Sequence, residues 1–476
     1  MKSIRWLPLV IGPALCVGAV VVPAPTGITE PAWRVAGAAS WMAVWWLTAV
    51  VPLEATSLLP IVLLPVLRIS PVGDVTPAYA DPIIFLFMGG FFLAATLERW
   101  GLHKRFALAT VRAIGTSAPK VVLAFMIASG VASMWISNTA TAVMMLPIAM
   151  AVVGAKGQDS PHDGFPTALL LGIAYGASIG GVATLIGTPP NAIFAGAARE
   201  LLGIDVGFAE WMAIGVPIAI PMMLGCWLLL VWMFQVRGTI PGLAAEVDRE
   251  HADLGPMRGG ERFVLFVFFF TAAAWILRSP KLIGSVHIPG LADLVPGISD
   301  ASIAIGAALV LFVVPLWRQR FATALDWQTA RRIPWGVLLL FGGGLALARA
   351  FEVSGLTEWL GGQLVGLRGV PFPIVIGTTA LLFVFLTELT SNTATAAIGM
   401  PLMAGVAEGL GVAALPLLTT AALAASMAFM LPVATPPNAI VFGSGAVSPR
   451  EMARAGLRLN FLSVTIITVV LWLRLA

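Results

Sequence analysis

Two six-residue strings occur twice in this chain. Ser137-Asn138-Thr139-Ala140-Thr141-Ala142 recurs as Ser391-Asn392-Thr393-Ala394-Thr395-Ala396, 254 residues on. Thr188-Pro189-Pro190-Asn191-Ala192-Ile193 recurs intact as Thr435-Pro436-Pro437-Asn438-Ala439-Ile440, 247 residues on. The hydroxyls and amides of the first string can donate to a carboxylate. Their oxygens can ligate a cation. Neutral groups that serve both ions suit a site that must later release them. In the second string the threonine can cap a helix, and proline at the first helical position loses no needed hydrogen bond. Two prolines also interrupt the helix before them. The carbonyls freed in that turn become plausible cation ligands, while the new helix N-terminus faces an anion.

The elements that hold these strings must be membrane helices. Of the 476 residues, 59% are hydrophobic and 11% charged, against roughly 25% charged in an average soluble domain. Mean hydropathy is +0.96. A soluble enzyme needs more surface charge than this. An outer-membrane barrel would alternate apolar and polar residues over about ten positions, whereas long unbroken apolar runs recur here. The formal charge is +4, but the basic residues are scattered over short connections, which argues against a nucleic-acid face. Cys16 and Cys226 lie inside apolar runs and suggest no disulfide or metal cluster. His103, His162, His251 and His287 lie in polar connections. The head Met1-Lys2-Ser3-Ile4-Arg5 and the apolar run behind it resemble a signal peptide, but the many later spans favour a first transmembrane helix.

Eleven candidate helices fall near 5–22, 33–50, 54–68, 83–113, 165–187, 211–235, 262–278, 300–317, 334–357, 415–434 and 452–473. Two further apolar stretches, 119–155 and 371–410, are each interrupted by a Ser-Asn-Thr string. A polar turn at mid-depth is tolerated only where protein or water covers it. The expected fold is therefore an all-α polytopic membrane protein with about 11 transmembrane helices and two re-entrant hairpins. With the N-terminus inside, most of the 27 Lys and Arg fall in cytoplasmic connections, which puts the C-terminus outside. The longest hydrophilic connection, 237–261, carries Glu246, Asp248, Arg249, Glu250, His251 and Asp253 and reads as a solvated linker.

The repetition extends beyond the two strings. At the 254-residue offset Gly89-Gly90 matches Gly343-Gly344, Glu98 matches Glu352, Gly101-Leu102 matches Gly355-Leu356, Pro119 matches Pro373, and Pro147 matches Pro401. Each half holds five crossings and one hairpin. An odd number of crossings makes the second half enter from the opposite side, an inverted-topology repeat of the kind secondary transporters use. Their sites lie near the midplane, where broken segments of the two halves meet.

Other residues invite plainer readings. A single Ser or Thr in a membrane helix usually bonds back to its own backbone; four clusters in two matched pairs point to a binding site instead. Trp33, Trp41, Trp45, Trp46, Trp100, Trp211 and Trp232 read mostly as interfacial anchors. Gly89-Gly90 and Gly342-Gly343-Gly344 lie mid-span and suit close helix packing or a hinge. Gly172, Gly176, Gly180 and Gly181 would permit a hairpin to approach their helix closely. Met144 and Met145 read as packing residues, and Glu54, Glu98, Glu352 and Arg349 as scaffold. Glu388 has Met134 as its repeat equivalent. It fits either a structural role or a role in cation or proton coupling.

Two Ser-Asn-Thr and two Thr-Pro-Pro motifs in a repeated membrane chain resemble the divalent anion/sodium symporter family, across essentially the whole length. The resemblance implies an elevator-type homodimer with scaffold and transport parts. These fall at 1–118 (scaffold, repeat 1), 119–236 (transport, repeat 1), 237–261 (cytoplasmic linker), 262–370 (scaffold, repeat 2) and 371–476 (transport, repeat 2). It implies a first sodium site at Ser133, Ser137, Asn138 and the Gly187 carbonyl. A second is implied at Thr387, Thr390, Asn392 and the Ala434 carbonyl. Substrate carboxylates would meet Ser137, Asn138, Thr139, Thr188, Ser391, Asn392, Thr393, Thr435 and Pro436. Ser133 and Thr387 each precede a motif serine by four residues, one helical turn away on the same face. The reading is a sodium-coupled symporter importing a small dianion, a C4-dicarboxylate such as succinate, malate or fumarate. Its partners would be that dianion, Na⁺, membrane lipid and a second copy of the chain. No cofactor beyond the coupling ion and no enzymatic activity are expected. Its place would be a bacterial-type inner membrane. A sodium-independent dicarboxylate exchanger, a sodium-coupled sulfate or citrate transporter and a channel remain as alternatives.

Overall fold

The computed structural model describes residues 6–115, 117–156, 164–240, 248–249, 251–283, 286–316 and 323–475. The head Met1–Arg5, His162 and the linker residues Glu246 and Glu250 lie outside them. Among the described residues the chain is almost wholly helical. Strand is confined to an antiparallel ribbon, Lys281–Ile283 against Val286–Ile288.

The two halves run through the same succession of elements. Pro82–Arg99 answers to Trp335–Ser354, and the short Leu102–Ile114 to Leu356–Gly362. Ala118–Ser133 and Asn138–Lys156 form a first hairpin. Phe372–Leu389 and Asn392–Leu410 form a second. Next come Phe165–Gly181 and Ala414–Ala425, then Pro189–Leu202 and Pro436–Gly443, then the long Phe208–Met233 and Pro449–Leu475. The paired elements follow in the same order, so the sequence repeat is a repeat of elements, although the offset between paired helix starts falls from 254 residues at Leu102 and Leu356 to 241 at Phe208 and Pro449.

Among the described residues six helices are long and apolar enough to cross a membrane: Val72–Arg99, Phe208–Met233, Gly259–Ile276, Trp335–Ser354, Phe372–Leu389 and Pro449–Arg474. The other apolar helices are shorter than the roughly 20 residues a straight crossing needs. Breaks account for much of the difference from the expected spans. The run 83–113 divides at Trp100-Gly101, where Gly101 takes a left-handed φ of 67° and opens the next helix. The run 54–68 divides into Leu53–Thr56 and Leu59–Val66, with Pro60 in the first turn of the second. The expected 165–187 and 415–434 stop early, at Gly181 and Ala425.

Burial follows composition. Phe165–Gly181 is apolar all round and almost every residue in it is buried; Ala414–Ala425 is nearly the same. A helix without a polar face belongs inside a larger structure. Around them stand helices whose outer faces keep Leu228, Trp232, Phe266 and Phe270 exposed, a lipid-facing surface. Tryptophan divides between the two environments. Trp232 is exposed as expected, but Trp46 and Trp211 are buried rather than interfacial. Their indole N–H groups donate to the Leu53 carbonyl at 3.1 Å and the Val182 carbonyl at 2.9 Å. A buried indole needs such a partner, and no feature of the local sequence reveals it.

The glycine stripe on Phe165–Gly181 does what its spacing suggests. A methyl group on Gly180 would lie 2.1 Å from the Gly130 carbonyl oxygen, and one on Gly176 would lie 2.8 Å from that of Met126. The first hairpin arm therefore lies backbone to backbone on this helix. Gly89 and Gly343 likewise pack against the backbones of Ala304 and Ser57, so these pairs are packing positions. Glu54 packs over Gly336 and Arg349 faces Glu200 at 3.6 Å, consistent with scaffold roles.

Candidate functional site

Each Ser-Asn-Thr string sits at the turn of its hairpin, and its asparagine is the first residue of the second arm. Ser137 accepts the Ala140 N–H at 3.2 Å, which caps that arm. The first N–H groups of both arms stand at the tips, with the partial positive charge of a helix N-terminus.

Each Thr-Pro-Pro-Asn string starts a helix after a stretch of irregular backbone, 182–188 in the first half and 426–435 in the second. The threonines are extended, with φ −146° and −138°. Thr435 accepts the Asn438 N–H at 3.3 Å. The asparagines hold the irregular stretch. Asn191 Nδ2 donates to the carbonyls of Gly181 (3.2 Å) and Thr184 (2.7 Å). Asn438 Nδ2 donates to Ala428 (3.3 Å) and Leu431 (3.1 Å). These partners repeat at the same 247-residue offset as the strings themselves. Asn191 and Asn438 are thus functional candidates that the motif contained but the chemistry of the tips did not single out. Replacing either with alanine is expected to remove both hydrogen bonds of its clamp and cost about 1–3 kcal/mol. A lowered melting temperature of purified Asn438→Ala protein would show it; an unchanged one would mean the clamp is dispensable.

Around the first tip, Ser133 donates to Asn138 Oδ1. Gly181 lies against the same amide. A methyl group there would stand 2.8 Å from Asn138 Oδ1 and 3.1 Å from the Gly187 carbonyl oxygen. Ser133, Asn138 and Gly187 are therefore brought together, with Gly181 as the bare surface that permits it. Ser137 and Thr139 are exposed, while Thr188 is buried.

Around the second tip, Thr387 Oγ1 lies 2.7 Å from Asn392 Oδ1 and 2.8 Å from the Ala425 carbonyl. A hydroxyl has one proton and cannot donate to both at once. Three oxygens converge there, and one is the last carbonyl of Ala414–Ala425, at the negative end of that helix. Ala425 was not visible from the motif spacing; Ala434 lies nine positions on, buried, in the same irregular stretch. The Thr390 hydroxyl is turned to the Leu386 carbonyl (2.8 Å) and to Thr395 Oγ1 (2.5 Å). Ser391 and Thr393 are half-buried at the tip, Thr435 is buried and Pro436 is exposed.

A cavity of about 410 Å³ reaches the first tip. Its walls include Ser137, Ile136, Phe91, Glu98, Arg99 and Arg332. Arg99 also pairs with Asp326 at 2.8 Å, and the Thr329 N–H donated to Asp326 holds that carboxyl below its usual range.

The two halves interlock at these tips. Asn138–Lys156 packs on Pro436–Gly443, and Asn392–Leu410 packs on Pro189–Leu202. Tyr175 Oη crosses the centre to donate to the Phe429 carbonyl at 2.8 Å.

Comparison with known proteins decides the lineage. A family model described as the sodium:sulfate symporter transmembrane region matches residues 3–476. The chain belongs to the divalent anion/sodium symporter family. It is a multi-pass integral membrane transporter and not an enzyme. The sodium-dependent dicarboxylate transporter SdcS of Staphylococcus saprophyticus is 40% identical over 475 residues, covering 98% of this chain and 90% of that protein. SdcS of Staphylococcus aureus strain USA300 is 40% identical over 474 residues, with the same coverage. Among solved structures, the Alcanivorax borkumensis YdaH transporter matches at a TM-score of 0.57 and 17% identity, covering 91% of this chain and 98% of that one. At that identity the likeness is one of fold. The symporter family thus accounts for the whole length of the chain, both hairpins included.

Proposed function

We propose that this protein is a sodium-coupled symporter that imports small divalent anions, with C4-dicarboxylates such as succinate, malate and fumarate as its substrates. The observation that carries the proposal is the convergence of neutral oxygens beside each helix N-terminus: Ser133, Asn138 and Gly187 in one half, Thr387, Asn392 and Ala425 in the other. Oxygen clusters of this kind suit a hard cation. The adjoining N-termini, with Ser137, Thr139, Ser391 and Thr393, suit carboxylates. Thr188, Thr435 and Pro436, at the start of the helices packed on those tips, complete the anion site. Thr390 contributes to the second cation site through its carbonyl, since its hydroxyl is already engaged, and Ala434 lines the same site. The SdcS relatives are named for sodium-dependent dicarboxylate transport, which supports the coupling ion and the substrate class.

Two sodium ions neutralise a dianion, and a third makes the cycle electrogenic. Na⁺ binds first, orders the tips and supplies positive charge. The dianion then bridges the two Ser-Asn-Thr motifs, and the parts at 119–236 and 371–476 carry both across as an elevator. The parts at 1–118 and 262–370 form the scaffold of a homodimer in a bacterial inner membrane. The N-terminus lies in the cytoplasm and the C-terminus outside. No cofactor beyond Na⁺ takes part.

Succinate uptake into proteoliposomes tests this. The expected result is uptake with external sodium and none with external choline, in vesicles free of internal substrate. Uptake that appears only after loading the vesicles with a dicarboxylate would mean exchange. Competition by sulfate but not succinate would overturn the substrate class.

A further inference from the structure

Glu388 follows Thr387 directly and is 3% exposed. Its carboxylate receives four N–H groups. Oε1 accepts from the backbone of Phe429 (2.7 Å) and Met430 (2.8 Å) and from Asn460 Nδ2 (2.9 Å). Oε2 accepts from the Leu431 backbone at 3.2 Å. Every partner is a donor, which is what a carboxylate with its lone pairs exposed can use. Among the described residues no Arg, Lys or His forms an ion pair with it. A buried carboxylate held only by dipoles is a local negative charge, and a buried charge asks for a counter-ion.

Its position connects it to the second cation site. Thr387 and Glu388 grip the two ends of one stretch: Thr387 reaches the Ala425 carbonyl, and Glu388 reaches the amides of 429–431. Thr387, whose hydroxyl belongs to the second cation site, is the residue next to Glu388, and both hold the segment 425–431. The first half is built without charge. Met134 stands in the equivalent place, and its carbonyl accepts the hydroxyl of Thr184.

We propose that Glu388 is a positioning residue that also gives the second-half cation site a fixed negative charge, so that this site binds Na⁺ more tightly than its first-half counterpart and fills before it. The inference rests on the sodium-coupled reading above. It predicts two sodium affinities from two sites of nearly the same neutral chemistry.

The test is the sodium dependence of succinate uptake at saturating succinate, paired with the sodium-induced shift in melting temperature in detergent without succinate. Glu388→Gln keeps the shape and removes the charge. The sodium concentration for half-maximal uptake is expected to rise about tenfold, and the sodium-induced thermal shift to weaken in parallel. Asn460→Ala removes one donor and leaves the charge less screened. It is expected to lower the half-saturating sodium. Simple damage to packing would move both variants upward. Wild-type sodium dependence in Glu388→Gln, or an unchanged or raised requirement in Asn460→Ala, would overturn the proposal. Should Glu388→Gln fail to fold, Asn460→Ala alone decides. A wild-type protein indifferent to sodium would instead overturn the sodium-coupled reading itself.

Discussion

Asn392→Ala is expected to cut sodium-driven dicarboxylate uptake by about 100-fold while the protein stays folded. The Asn392 amide oxygen lies 2.7 Å from the Thr387 hydroxyl, at the mouth of the three-oxygen cluster. In the proposed site its amide nitrogen faces the anion. One truncation therefore removes a group from both ions. A hydrogen bond to a charged partner contributes about 1.5–3 kcal/mol, and about 2.8 kcal/mol corresponds to a hundredfold. Stability should change little, because the residue is half-buried at a helix start and not in the core. Asn138→Ala removes the matching group in the first half, where the amide oxygen accepts the Ser133 hydroxyl and Gly181 lies against both the amide and the Gly187 carbonyl. It should be equally damaging. The measurement is initial-rate uptake in proteoliposomes, with size-exclusion profiles confirming folded protein. Normal uptake by either variant would remove that tip from the site.

The second large effect is structural in origin. Gly180→Val is expected to abolish the folded transporter. The first atom added at Gly180 would lie 2.1 Å from the Gly130 carbonyl oxygen and 2.4 Å from its α-carbon. Both are backbone, so no side chain can swing away. Overpacking a close-packed interior usually costs about 1–3 kcal/mol, and more where the backbone itself must move. The displaced element would be the arm that ends at Ser133, so the first cation site would open as the helices part. Gly18 has nothing near the corresponding position, and Gly18→Ala should match wild type. Fluorescence-detected size-exclusion and thermal stability of the three proteins would settle the matter. A monodisperse, active Gly180→Val protein would show that the contact can be given up.

Several features were legible because they depend on local chemistry. Proline pairs cannot continue a helix, so breaks before Pro189 and Pro436 were legible, although the preceding helices end earlier than the prolines require, at Gly181 and Ala425. The small-residue stripe from Gly172 to Gly181 announced a close approach, and the Gly176–Met126 and Gly180–Gly130 contacts supplied it. Other features depend on elements far apart in the chain. Ala425 carries no polar side chain, so no motif search could have found its carbonyl beside Thr387. Trp46 and Trp211 look like any membrane-interface tryptophan until the carbonyls they meet are known. Turns such as Trp100-Gly101 divide an apolar run without changing its composition, so the bounds of several expected helices were drawn too long.

Glu388 draws the line most sharply. Its sequence said that an acid stood in an apolar helix and had no partner in the other repeat. The amides of Phe429, Met430 and Leu431 and the Asn460 side chain come to it from 41 to 72 positions away. By itself the sequence determined which groups are available: a membrane chain, repeated, with twin polar tips and twin broken helices. These follow from side-chain chemistry and short-range backbone limits, which neighbours along the chain set. Tertiary structure alone decided which backbone groups face those side chains. An exposed carbonyl or amide is the same in every residue, and only packing selects the one that a given carboxylate or hydroxyl will meet.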